Sequence, residues 1–249
     1  MKKIIEAKNI CKSFGNKDNR TKVLKNVSLD IYENDYISIM GPSGSGKSTL
    51  LFSISGMDSV DSGEIFFLEK SLTILNDEQI SDIRRKEMGF VFQNPTMLSN
   101  LDILDNIILP NFEEKEIDKK ELLNNAMETM KTVGIDGLEN RSITQVSGGQ
   151  LQRAAICRAI LHKPKILFGD EPTGALNSRA TDEILKLFEN LNNNGMTILI
   201  VTHDPKVASR TKRVLFMKDG QLESQIKFTN ENQSKRINLL NEKMLNLGI

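Results

Sequence analysis

Nine consecutive residues, Gly41-Pro42-Ser43-Gly44-Ser45-Gly46-Lys47-Ser48-Thr49, carry the densest chemical signal in the chain. They fit the phosphate-binding loop pattern of Gly, four residues, Gly-Lys, then Ser or Thr. Glycines let backbone N–H groups converge on phosphate oxygens without Cβ clashes. A helix that begins there points its positive end at the same anion. Lys47 can reach the β- and γ-phosphates, and the Ser48 hydroxyl can ligate Mg²⁺. A Gly/Ser-rich turn is the rival reading. The β-prone run Tyr36-Ile37-Ser38-Ile39-Met40 comes just before the loop and helix-like residues 48–53 just after. That strand–loop–helix context is the one the motif needs, and it implies nucleoside triphosphate binding.

Two further clusters extend the chemistry. The apolar run 165–168 meets Gly169-Asp170-Glu171-Pro172, which reads as a buried strand with acids at its end. Beside a bound triphosphate, Asp170 can hold Mg²⁺ directly or through water. Glu171 can polarise the attacking water as general base. The third cluster is Val146-Ser147-Gly148-Gly149-Gln150, at the start of an expected helix over 151–161. Backbone N–H groups, the Ser147 hydroxyl and the helix dipole would form a second anion site there. One chain seldom needs two separate loops for one triphosphate. A head-to-tail dimer solves this, each ATP held between one chain's phosphate loop and the other's Ser-Gly-Gly-Gln. Standing alone, the motif would be a Gly-rich turn before a helix.

The elements that position these groups can be read in outline. Residues 3–40 alternate short β-like runs with turns, among them a strand over 27–31 and a turn at Asn34-Asp35. Phe14 precedes a polar insert over 16–20; an aromatic there can stack on a base or serve as a core or turn residue. Ser62-Gly63-Glu64 reads as a turn, 65–68 and 88–92 as strands, and Asn76 with Gln79 as a capping box. From 101 to about 161 the pattern is helical, with Leu122, Leu123, Ala126, Met127, Met130 and Val133 at helical spacing until Gly134. Residues 180–190 form an amphipathic helix, 197–202 a buried strand ended by His203, and 214–217 and 221–228 a pair joined through Asp219-Gly220. The tail sets Ile237, Leu240, Met244 and Leu247 on one stripe, for docking on the domain or on a partner.

Composition bounds the classes. The chain has 249 residues and no formal net charge, which suits one α/β domain, or one with an inserted subdomain, and speaks against a nucleic-acid partner. Cys11 and Cys157 are far apart and lack metal-ligand spacing, as in a reduced compartment. The charged start has no signal-peptide core. No apolar run approaches the ~18–20 residues of a membrane helix. A membrane role must therefore come through a partner.

In order and spacing, the motifs resemble those of the ATP-binding subunits of ABC transporters across residues 3–228. Residues 41–49 match Walker A, Gln93 the Q-loop, 146–150 the signature, 166–171 Walker B, 174–177 the D-loop and His203 the H-loop. The resemblance implies an α/β fold, a P-loop NTPase core with an antiparallel β-subdomain and a helical subdomain inserted at about 94–161. It places the ATP-binding domain at 1–228, followed by a polar linker and short C-terminal helix at 229–249. It implies that Phe14 stacks on adenine, that Gln93 contacts Mg²⁺ with Ser48 and Asp170, and that His203 touches the γ-phosphate and holds the water. For a lone histidine, a satisfied core position is the rival role. Catalysis then falls to Glu171, His203 and Lys47. Asn177 stands where the D-loop usually ends in Asp; it keeps size and hydrogen bonding but loses the charge.

Phe90-Val91-Phe92-Gln93 and Val201-Thr202-His203-Asp204 look like the macrolide-export and lipoprotein-release branch. Gly174-Ala175-Leu176-Asn177-Ser178 with 202–208 is most similar to the bacitracin-export type. The expected protein is thus an ATPase that drives an integral membrane permease from the cytoplasmic face of the membrane, for export of or resistance to peptide antibiotics or similar amphiphiles. The alternatives within the branch are lipoprotein release and signalling to cell-wall enzymes without transport. DNA-repair relatives split the domain with a long coiled coil, and translation-type relatives carry two such domains; this chain has neither feature.

Overall fold

The computed structural model describes residues 2–16, 19–111 and 118–248. Two parts of the sequence reading, residues 17–18 of the polar insert and 112–117 of the helical stretch, lie outside the described residues. The chain opens with an antiparallel pair, β1 (Lys3–Phe14) and β2 (Thr21–Tyr32). Each is a single strand where short runs broken by turns are expected. Asn9 and Asn26 adopt positive φ at register shifts, so polar residues that look like turns are absorbed as bulges.

β3 (Tyr36–Met40) leads through the phosphate loop into α1 (Lys47–Ile54). β4 (Ser62–Phe67) pairs with β1, and β5 (Lys70–Ser71) completes a sheet of order β2-β1-β4-β5. Ser62-Gly63-Glu64 is therefore the start of a strand and not a turn. Its glycine sits at a register shift between β1 and β4. α2 (Asp77–Glu87) begins at the expected capping box, with Asn76 and Gln79 each accepting from the other's backbone N–H.

The second sheet adds β6 (Met88–Phe92), β7 (Ile166–Asp170), β8 (Thr197–Thr202), β9 (Arg213–Lys218) and β10 (Gln221–Lys227). Its order is β10-β9-β3-β8-β7-β6, parallel except for β10 at the edge. Around it lie α3 (Ile103–Ile108), α4 (Lys119–Val133), α5 (Gly148–Ile160), α6 (Ser178–Asn193), α7 (Pro205–Ala208) and α8 (Gln233–Leu247).

The period of two along each strand divides the interior. Tyr36, Leu167, Ile198 and Ile200 face a core shared with α3 to α6. Ile37, Ile39, Phe168, Leu199 and Val201 face another, shared with α1 and the antiparallel sheet. Such strands, buried on both faces, are mainly apolar, as in parallel sheets generally, and the buried Ser38 hydroxyl of β3 is paired with Thr211 at 3.1 Å. Leu122, Ala126, Met130 and Val133 of α4 are buried, whereas Leu123 and Met127 are 41% and 42% exposed. The buried stripe is narrower than the apolar periodicity suggests. Leu240 of α8 is fully buried among Met40, Ala208, Val214, Phe216 and Phe228, so the tail docks on this chain itself. Among the described residues no helix is long and apolar enough to cross a membrane.

Phe168 is fully buried, and its ring stacks on Phe90 at 5.2 Å. Phe168→Ala is expected to destabilise the protein by about 3–5 kcal/mol. Urea denaturation followed by circular dichroism checks this.

Candidate active site

Register brings the motif residues together. Met40 pairs with Thr202 and Phe216, and Asp170 pairs with Val201 and Phe92. The strands therefore end along one edge, and the residues that follow are Gly41, His203, Glu171 and Gln93. The carboxyl edge of a parallel sheet is where ligands bind in open α/β folds.

The loop is built for close approach. A Cβ on Gly41 would lie 2.1 Å from the Met217 carbonyl oxygen of β9, so only glycine fits there. Gly46 caps α1 at φ 102°, a left-handed conformation that also favours glycine. Lys47 Nζ donates to the carbonyls of Gly41 at 2.9 Å and Pro42 at 2.8 Å. Ser45 Oγ is buried without a protein partner, and a Cβ on Gly44 would meet nothing within 4 Å. The open space at Gly44 leaves the loop backbone accessible to an anion.

Ser48 Oγ donates to Asp170 Oδ1 at 2.7 Å. This pair of hard oxygen donors fits a divalent cation such as Mg²⁺. Burial raises the Asp170 pKa above its ordinary value; the Ser48 bond and Lys47 oppose the shift and Glu171 adds to it. Burial lowers the Lys47 pKa, against the pull of Glu171 and Asp170. Both charges are thus penalised in the free site.

Glu171 has φ 47°, and its N–H donates to the Val201 carbonyl. Its Oε1 lies 2.8 Å from His203 Nδ1. An ionised carboxylate only accepts, so the contact assigns the proton to Nδ1. His203 is well exposed, which excludes the satisfied core histidine. Gln93 is exposed and rests against the turn after Glu171: a Cβ on Gly174 would lie 2.9 Å from Gln93 Nε2. Asn177 caps α6, with Oδ1 accepting from Ala180 N at 2.9 Å. Phe14 ends β1 at 46% exposure, with the Lys12 ammonium 5.1 Å from its ring centroid, so it is not a core residue. In the same sheet, Val23 and Leu24 of β2 lie against Gly46.

The signature residues form an exposed helix N-terminus. Ser147 Oγ accepts from Gln150 N at 3.3 Å, and Gln150 Oε1 accepts from Ser147 N at 2.8 Å. The hydroxyl expected to meet an anion thus also caps its own helix. Sequence reasoning missed Gln152, which is 1% exposed and donates to the Phe92 carbonyl at 2.9 Å. It thereby ties α5 to the strand end that carries Gln93. Its apolar neighbours at helical spacing, Ala155 and Ile156, are the signal that places it on a buried face.

A phosphate loop, a strand-end Asp-Glu pair and a nearby histidine on this fold define a P-loop nucleoside triphosphatase. Residues 24–174 match the ABC transporter family. The chain belongs to that family as an ATP-binding subunit that hydrolyses ATP. It is 39% identical over 224 residues to the bacitracin export ATP-binding protein BceA of Halalkalibacterium halodurans, spanning 90% of this chain and 88% of the relative. It is 40% identical over 221 residues to the lipoprotein-releasing system ATP-binding protein LolD of Leptospira interrogans, spanning 88% of this chain and 91% of the relative. A dimeric structure of the ATP-binding cassette MJ0796, in a post-hydrolysis state bound to ADP and Pi, matches with a TM-score of 0.83 and 36% identity. That match covers 92% of this chain and 100% of the other.

The pKa shifts set a sign. A carboxyl raised by folding contributes stability below its unfolded pKa and loses it as pH rises through the folded value. A lysine lowered by folding contributes above its unfolded pKa and loses that as pH falls through the folded value. At neutral pH both effects burden the ligand-free fold. Asp170→Asn is therefore expected to raise the melting temperature of nucleotide-free protein at pH 7. The gain over wild type should shrink as pH falls toward the ordinary carboxylate range. Melting curves at several pH values in EDTA check it.

Proposed function

We propose that this ATPase drives an integral membrane permease from the cytoplasmic face of the membrane, in export of or resistance to peptide antibiotics or similar amphiphiles. The observation that carries the catalytic part is the shared strand edge holding Gly41, His203, Glu171 and Gln93. The antibiotic part is supported by the likeness to BceA. Nearly equal identity to LolD keeps lipoprotein release as the second reading, with signalling through a permease as a variant of either.

In this reading residues 1–228 form the ATP-binding domain, with 94–161 as its helical insert and 229–249 appended. Phe14 stacks on adenine. Residues 41–49 wrap the phosphates, and Lys47 moves from the Gly41 and Pro42 carbonyls to the β- and γ-phosphate oxygens. Ser48, Asp170 and Gln93 would hold Mg²⁺, which when bound neutralises charge on the phosphate oxygens. Glu171 takes the proton of the attacking water as its oxygen bonds the γ-phosphorus and the bond to the ADP oxygen breaks. His203, held by Glu171, orients that water and contacts the γ-phosphate. A second copy pairs head to tail, so that Ser147, Gly148, Gly149 and Gln150 of one chain close on the other's ATP and Asn177 lies between the two sites. The dimeric state of the MJ0796 structure supports a two-chain assembly.

Glu171→Gln keeps shape but cannot accept the proton, so turnover should fall by about 10²–10⁴-fold. ATP binding should persist, and the variant should accumulate as an ATP-bound dimer in size-exclusion chromatography. Retained turnover would remove Glu171 from the base role. Ser147→Arg should spare ATP binding to the monomer and block turnover; survival of both would show that Ser147 faces no partner nucleotide.

The substrate class is tested by deleting the gene from the source organism and complementing it with wild type or Glu171→Gln. Raised sensitivity to bacitracin-like peptides, rescued only by wild type, is expected. Unchanged sensitivity with mislocalised lipoproteins would favour the second reading.

A further inference from the structure

The tail helix has no part in the chemistry above, yet it is anchored at three points. At its start, Arg236 Nε donates to the Glu231 carbonyl at 3.0 Å, and its guanidinium lies 4.7 Å from the Phe228 ring centroid. Arg236 Nη1 reaches across to the carbonyls of Ser209 at 3.2 Å and Thr211 at 3.3 Å. In its middle, Leu240 is buried against Ala208, the last residue of α7, and in one cluster with Met40, which precedes the phosphate loop. At its end, Lys218 Nζ donates to the Leu247 carbonyl at 2.6 Å.

The first two of these anchors converge on one segment. α7 starts directly after His203 and Asp204, and Asp204 caps it through Lys206 N at 2.8 Å. Its far end is held from two sides. Arg210 pairs with Glu189 and Asp182 of α6, and Arg236 takes the carbonyls of Ser209 and Thr211 from α8. Gln233 of α8 shares with Glu171, His203 and Lys206 the lining of a groove of about 340 Å³. The histidine side chain itself is exposed and has Glu171 as its anchor at 2.8 Å. Its backbone is fixed on both sides, by the pairing of Thr202 with Met40 before it and by the short helix behind it.

We infer that Arg236 is a positioning residue for hydrolysis: through Ser209 and Thr211 it pins α7, and thereby holds His203 against Glu171. The inference rests on the role given to His203 above. Arginine suits this task because one planar group donates from Nε to Glu231 and from Nη1 to Ser209 and Thr211 while its plane lies over the Phe228 ring. Lysine offers a single ammonium and cannot do both. The tail is thus a brace on the catalytic edge and more than a terminal cover for an apolar patch.

The test uses the full chain. Arg236→Ala should lower kcat by roughly ten-fold while KM for ATP stays within about two-fold, since a displaced catalytic group weakens the transition state more than binding. Arg236→Lys should recover part of the loss. The chain contains only two histidines, so ring signals in a ¹H–¹³C spectrum report the site directly. His203 should shift in Arg236→Ala, while His162, which faces the Met88 carbonyl, should not. A folded Arg236→Ala protein with wild-type kcat or an unmoved His203 signal would overturn the brace. So would a shift of both signals with a lowered melting temperature, which marks general loosening. His203→Ala is measured alongside. If it turns over ATP like wild type, the underlying role of His203 falls, while the ring signal still decides whether Arg236 holds that segment.

Discussion

Everything at the catalytic edge depends on the common register of the parallel strands. Backbone hydrogen bonds fix Met40 opposite Thr202, and Asp170 opposite Val201 and Phe92. Because side chains alternate between faces, a slip of one residue would turn Ile37 and Ile39 toward the wrong core and misplace Gly41 relative to Glu171. The two apolar cores therefore hold the register, and the register holds the chemistry.

On that frame the ligand-free site pairs most of its functional side chains internally, with Ser45 Oγ left unpartnered. Lys47 rests on two loop carbonyls, Ser48 on Asp170, and His203 on Glu171. The first of these bonds pairs the buried Lys47 ammonium, as interiors require. Burial nevertheless disfavours the charged forms of Lys47 and Asp170. A polyanion with its cation would relieve that burden on both groups. Donors already aimed at a charge that arrives later need little reorganisation when it does.

The sequence was most legible where chemistry restricts residue choice. The phosphate loop, the Asp170-Glu171 strand end, the Asn76–Gln79 capping box and the strand before His203 lie where their residue types place them. Tertiary context decided the rest. Ser62-Gly63-Glu64 has turn chemistry, but pairing with β1 draws it into β4. Asn9 and Asn26 look like breaks and are bulges. Leu123 and Met127 continue an apolar period that meets no core among the described residues on their side of α4. Asn177 reads as a lost charge, while its local work is to cap α6, which a carboxylate would do equally well. Gln152 and Arg236 carry no motif, and their partners are backbone carbonyls distant in sequence, which a linear pattern cannot display.

Those two unadvertised side chains tie the outlying helices to the sheet edge. Gln152 joins α5, which follows the exposed Ser147 cap, to the end of β6 and so to Gln93. Arg158 of the same helix donates to the Thr96 carbonyl at 2.7 Å, holding the segment just beyond Gln93. Arg236 joins α8 to the segment that follows His203. Each bond runs from a side chain on a helix to a backbone carbonyl of a segment that flanks a strand end. Backbone carbonyls are the same for any loop sequence, so the loop residues can differ while the attachment persists. In a head-to-tail pair, the signature helix of one chain would meet the partner's nucleotide while remaining bonded to its own Gln93 segment. The two half-sites of one chain would then be mechanically joined through α5, with Gln152 and Arg158 as the fixed points of that joint.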